Sequence, residues 1–135
     1  MEHVRLLEAF SLAICAAGAL LLSAKVTVAE PDYNSVGGLR DNCYLVTEKW
    51  EELSTQEQIQ ATACGSFING IVNMMITNCL SDFPVPDNLK ASSPHTMRAY
   101  VQGFLNWADE NPNRWSDDKF LGIVDAISIN FPCEE

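Results

Sequence analysis

The sequence predicts an all-α fold: a small disulfide-stapled four-helix bundle preceded by a signal peptide. Three observations carry that expectation. Apolar residues recur at helical spacing in four segments, and no segment alternates with period two over a β-branched run. Proline-containing stretches, "SDFPVPDNLKASS" and "DENPNRW", punctuate the chain between helical segments. Four cysteines, Cys43, Cys64, Cys79 and Cys133, follow an export-like leader in a short chain. At 135 residues there is room for one domain.

The leader covers residues 1–29, and the single helical domain covers 30–135. Ala9 to Ala24 is a continuous apolar run, shorter than the roughly 20 residues that a membrane-spanning helix needs. Small residues follow it, with cleavage expected after Ala29. Glu2 and Glu8 accompany Arg5, so the leader is not clearly positive at its start, and a retained anchor is the alternative. Cleavage would deliver the chain to an oxidising compartment outside the cytosol, where thiols form disulfides.

In the first helix, Leu39, Cys43, Val46, Trp50 and Leu53 step by four and three onto one stripe. The second opens at Ser54, three residues before Glu57, in a capping-box pattern, and runs to about Asn78. From Ala61 to Ile76 it is apolar on nearly every face, which predicts a helix surrounded by others. Gly65 and Gly70 would each cost about 1 kcal/mol relative to Ala there. Close approach of a neighbouring helix or of a disulfide is the expected compensation. "SPHT" starts the third helix, with Ser93 as N-cap and Pro94 at the first helical position. Met97, Tyr100, Val101, Phe104, Leu105 and Ala108 form its apolar face. Ser116 caps the fourth helix, Asp117 and Asp118 sit at the positive end of its dipole, and Phe120, Ile123, Val124 and Ile127 form its stripe.

Four cysteines can pair in three ways, and geometry selects among them. Cys43 and Cys64 are equidistant from a turn centred near Leu53 and Ser54, so an antiparallel hairpin sets them side by side. Cys79 is then left to tie down Cys133. A redox or structural zinc site would show paired short spacings such as CxxC, and none is present. His95, the one histidine after the leader, reads as a surface residue.

The chain carries 8 Lys and Arg against 18 Asp and Glu, a net charge of −10, and the leader's own charges cancel. That sign disfavours nucleic acid and anionic lipid and would steer in a basic protein partner. No catalytic residue, cofactor site or metal site is expected. No nucleophile elbow accompanies the lone histidine, and the adjacent acids Glu51/Glu52, Asp109/Glu110 and Asp117/Asp118 read as solvated. The protein is therefore expected to bind rather than catalyse. The candidate surface is the turn from Asp109 to Trp115, with Asp109, Glu110, Asn111, Asn113, Arg114 and Trp115 as partner-binding residues and Trp107 beside them. Trp and Arg dominate interface hot spots. The competing reading has Trp115 packing as a staple over the next helix.

Five stretches carry a resemblance to a family: Cys43, "ACGSFINGI" at 63–71, Cys79, "RAYVQGFLNWADENP" at 98–112 and "VDAISINFPC" at 124–133. In this order they resemble the Rap/Tai immunity proteins of type VI secretion. The sequence departs from that pattern at Leu80, where the family commonly has Pro, at Asn73 in place of an acid, and at Asn111–Pro112 in place of His-Pro. The resemblance implies a periplasmic, helical, disulfide-bonded protein. It implies binding to a secreted antibacterial toxin, a cell-wall amidase or similar enzyme, whose active site is occluded. Expected partners are thus a secreted, basic toxin and no nucleic acid or, after cleavage, membrane, with a homodimer as a further option. The alternative function is a general periplasmic helical protein, an acid-stress chaperone or envelope accessory factor.

Overall fold

The computed structural model describes residues 32–82, 84–93 and 95–134, so the signal-peptide reading of 1–29 and the placement of Pro94 lie outside the described residues. The described residues form four α-helices: α1 (Val36–Tyr44), α2 (Thr55–Cys79), α3 (Met97–Glu110) and α4 (Lys119–Asn130). Single 3₁₀ turns at Leu45–Thr47, Trp50–Glu52, Asp87–Leu89 and Pro112–Arg114 join them. There is no strand among the described residues; an isolated bridge pairs Ser35 with Asp118. The fold is all-α.

α1 packs on α2 and α3 on α4, while α1 also touches both α3 and α4. Between them lies one core, in which Phe104, Ile68, Met75, Leu105, Ile123 and Ile127 are fully buried. Each such side chain contributes about 1.5–3 kcal/mol by leaving water. α3 contributes Tyr100, Val101, Phe104, Leu105 and Ala108, as its periodicity predicts, together with Trp107. From α4 come Ile123, Val124 and Ile127, whereas Phe120 stays partly exposed.

The two covalent bridges are Cys43–Cys64 and Cys79–Cys133, with Cα–Cα distances of 5.2 and 5.8 Å. This is the pairing that the hairpin geometry selects. The route between the first pair differs from the expectation, however. α1 ends at Tyr44, where the Thr47 hydroxyl donates to the Tyr44 carbonyl and Glu48 turns to extended backbone. The five-residue stripe therefore spans a short helix and two 3₁₀ turns. Trp50, its fourth member, is exposed instead of buried.

α2 opens on the predicted capping box: Glu57 N–H donates to Ser54 Oγ, and Ser54 N–H donates to the Glu57 carboxylate. Among the described residues it is not surrounded by helices. Ala61, Cys64, Ile68, Ile71, Val72 and Met75 face the core, while Thr62, Ala63, Ser66, Asn69, Gly70, Asn73, Met74 and Thr77 are exposed. Three other helices, each much shorter, cover one side of it only. Among the described residues a β-carbon added at Gly65 or Gly70 would meet nothing within 4 Å, so no close approach by them compensates either glycine.

The N-caps of α3 and α4 also fall later than expected. Thr96 Oγ1, not Ser93, accepts from Ala99 N–H. Residues 91–92 are held off the helix by backbone bonds, Ala91 N–H to the Met75 carbonyl and Ser92 N–H to the Phe131 carbonyl. α4 is capped by Asp118, whose carboxylate accepts from Phe120 and Leu121 N–H, and not by Ser116.

Candidate functional site

The turn between α3 and α4 begins as a clasp on α1. The first three N–H groups of a helix have no partner within it. In α1 each finds one: Val36 N–H donates to the Asp117 carbonyl, Gly37 N–H to the Trp115 carbonyl, and Gly38 N–H to Ser35 Oγ. Lys119 N–H returns the connection to the Asn34 carbonyl. Gly37 and Gly38 suit this approach, because a β-carbon at Gly37 would press on Trp115 at 3.3 Å and one at Gly38 would overlap the Asp32 carbonyl.

The side chains of the turn are bound into the same clasp. Asp109 accepts from Arg40 Nε at 2.6 Å and from the Tyr44 hydroxyl. The hydroxyl hydrogen bond, then the guanidinium, hold the Asp109 carboxyl below the usual carboxylate range, and the same bond raises Tyr44. Arg40 lies between two rings, 4.7 Å from the centroid of Tyr44 and 4.6 Å from that of Trp115. The Trp115 indole N–H donates to the Ala108 carbonyl at 2.7 Å. Arg114 pairs with Asp117 at 2.6 Å and Asp125 at 2.8 Å, and its guanidinium covers the Trp107 ring at 5.3 Å. Asn111 Nδ2–H donates to the Trp107 carbonyl.

Of the six partner-binding residues expected from sequence, Asp109, Asn111, Arg114 and Trp115 are thus engaged within the chain. Glu110 and Asn113 are exposed and make no side-chain hydrogen bond among the described residues. Trp107 is buried, at 6% exposure, beneath Arg114, which corrects its placement on the surface. Trp115 does act as a staple, but over α1 and the end of α3. His95 is exposed, as expected, and packs edge-on against Tyr100 and at a tilt against Phe131, at ring distances of 5.7 and 4.9 Å. Among the described residues no group of three His, Cys, Asp or Glu side chains converges as a metal site would.

A different face presents unengaged apolar groups. Trp50, Ile59 and Tyr33 are 51%, 58% and 47% exposed, respectively. Ile59, in the second turn of α2, is a ridge between two shallow grooves of about 460 and 480 Å³. The first groove is lined by Trp50, Thr55, Gln58, Ile59, Thr62 and Ala63, all uncharged. The second includes Tyr33, Leu39, Phe67 and Lys119. Trp50 is held in place although it is exposed, because Gln58 Nε2 donates to the carbonyls of both Trp50 and Leu53. Lys119 is likewise fixed, donating to the Tyr33 carbonyl at 3.0 Å with its ammonium 4.6 Å from the Phe67 centroid. Sequence periodicity assigned Trp50 to the buried stripe, so this face was missed. The cue was the acidic run around Trp50, Glu48 to Glu52, which suits a solvent-facing segment.

Comparison of the chain with protein-family models, with curated proteins and with solved structures finds no match in any of the three.

Proposed function

We propose that this protein is an exported immunity protein that binds a secreted antibacterial toxin, a cell-wall amidase or similar enzyme, and blocks its active site stoichiometrically. One observation carries the reading: Trp50 and Ile59 stand exposed on a body that two disulfides and a polar clasp hold rigid. A rigid body that presents pre-placed aromatic and aliphatic anchors loses little entropy on docking. Tryptophan is among the residues that dominate binding energy. The net charge of −10 supports the same reading, because it would speed encounter with a basic enzyme. The ordered resemblance of the cysteine-bearing segments to the Rap/Tai immunity proteins supplies the toxin class.

The test is periplasmic expression of the product of the neighbouring gene, with and without this protein. Protection of the cells, together with a one-to-one complex in calorimetry, is the expected result. Equal killing in both cultures would overturn the proposal and leave the general periplasmic role. That second role would show as suppressed aggregation of unrelated clients at acid pH.

A further inference from the structure

The chemistry around the Trp50 groove indicates what kind of segment it accepts. Its lining is uncharged, but its rim is acidic: Glu48, Glu51 and Glu52 surround Trp50 on one exposed loop, and Glu57 precedes Gln58 on α2. Lys49 is the one cation of that loop, and it is paired with Glu52 at 2.8 Å. Glu57 is occupied by the Ser54 N–H. Glu48 and Glu51 have no ion pair among the described residues and are free to accept cations. A second copy of this chain would set like-charged rims together, each chain carrying −10. Charge complementarity therefore favours a cationic occupant over self-association.

We propose that the Trp50–Ile59 groove receives one amphipathic, cationic segment of a protein partner. Its apolar side chain would lie between Trp50 and Ile59, and its Lys or Arg side chains would reach Glu48 and Glu51. This deepens the reading of the chain as a toxin-binding protein and rests on it for the identity of the partner.

The direct test uses the exported chain with both disulfides formed, labelled with ¹⁵N and methyl ¹³C. It is titrated with three synthetic peptides: a Leu/Lys amphipathic helix, its Leu/Glu counterpart and a Ser/Lys peptide without an apolar face. The expected result is binding of the Leu/Lys peptide alone, with shifts at the Trp50 indole N–H and the Ile59 methyls and none at Trp107 or Trp115. Ile59→Asp, and separately Glu48→Gln with Glu51→Gln, should each weaken it about tenfold, as loss of an interface anchor does. Both sites are exposed, so an unchanged melting curve will show that the variants fold. Equal binding of the Leu/Glu peptide, shifts centred on Arg114 and Trp115, or a dimer in sedimentation that Ile59→Asp dissolves would each overturn the assignment. The toxin-protection assay separates the two proposals. If the native chain protects and Ile59→Asp protects equally, the groove assignment fails and the immunity reading stands. If the Leu/Lys peptide binds in the groove but the native chain gives no protection, the immunity reading fails and the groove assignment stands.

Discussion

Replacing Gly65 and Gly70 by alanine should stabilise this protein, and the size of the gain follows from the surroundings of α2. Both glycines lie within the helix Thr55–Cys79, where Gly costs about 0.8–1 kcal/mol relative to Ala. Part of the gain also comes from restricting the unfolded chain. A new methyl at either position meets no heavy atom of the described residues within 4 Å, so they impose no steric penalty against the gain. The two sites are five residues apart, about 7–8 Å along the axis, which is far enough for their effects to add within a few tenths of a kcal/mol. The double variant should therefore gain about 1.5–2 kcal/mol. In a domain of this size that raises the melting temperature by roughly 6–15 °C. The assay is urea and thermal unfolding followed by circular dichroism, with both disulfides intact and the urea m-value checked for constancy. A double variant no more stable than the native chain would refute the reasoning. It would mean that the face of α2 carrying Gly70 is covered, by a partner copy or by a helix packed there.

Other perturbations have comparably definite outcomes. Gly38→Ala and Gly122→Ala should each destabilise by about 1–3 kcal/mol through overpacking. Gly38→Ala should cost more, because its β-carbon meets the Asp32 backbone carbonyl, whereas that of Gly122 meets the Val36 side chain; the same unfolding assay checks both. Mild reductant under native conditions should free Cys79 and Cys133 first, since both are partly exposed while Cys43 and Cys64 are 0% and 1% exposed. Alkylation and mass mapping would show this order, and early labelling of Cys43 would contradict it. Replacing each bridge by an alanine pair should cost on the order of 3 kcal/mol for Cys43–Cys64 and 4 kcal/mol for Cys79–Cys133, because the second closes the longer loop. Asp109→Asn should cost about 1 kcal/mol or less near pH 7, given the solvent exposure of its ion pair with Arg40. The Asp109 carboxyl titrates lower in the folded chain than in the unfolded one, so the unfolded chain takes up the proton first as the pH falls. Its stabilisation is thus complete above the ordinary aspartate range and is lost as the pH drops through the lowered folded value. Urea midpoints of the native chain and the variant should converge as the pH falls below the ordinary aspartate range.

The parts of the fold that were legible in the sequence are those decided locally. Ser54 and Glu57 form a reciprocal cap three residues apart, and the structure starts α2 at Thr55, directly after the predicted N-cap. The cysteine pairing was legible because the distance of Cys43 and Cys64 from the intervening turn is countable, even though the path between them is two 3₁₀ turns. The starts of α3 and α4 were not, because several capable residues precede each helix and tertiary bonds choose among them. Ser116 lost to Asp118 where the Asp117 carbonyl is engaged by Val36 N–H, a residue about eighty positions earlier. Uncharged sequence was also mistaken for buried sequence. Thr62, Ser66, Asn69, Asn73 and Thr77 carry no charge, yet they line the exposed side of α2. The candidate site misled for a related reason. Trp and Arg suit an interface and an internal clasp equally well, and the residues that decide here, Arg40 and Tyr44, are distant in sequence from Asp109.

The clasp and the groove together account for how the charge of this chain is divided. Arg40, Lys49, Lys90 and Arg114 are in ion pairs, and Lys119 is held over Phe67, so five of the six cations among the described residues are engaged within the protein. Eight of the fourteen carboxylates among the described residues have no ion pair and none is buried, so the surplus acid there lies at the surface. Exposed pairs of this kind add little to stability, typically about 0.2–1 kcal/mol. Surplus surface acid adds nothing to it and, by self-repulsion, works against the compact state. Its physical consequence lies in association: it accelerates encounter with cationic partners and makes that acceleration fall as salt screens it. Anchoring is a separate matter, since apolar burial at Trp50 and Ile59 is little affected by screening. On this division, neutralising Glu48 and Glu51 should slow association with a basic partner, whereas truncating Trp50 should chiefly speed dissociation.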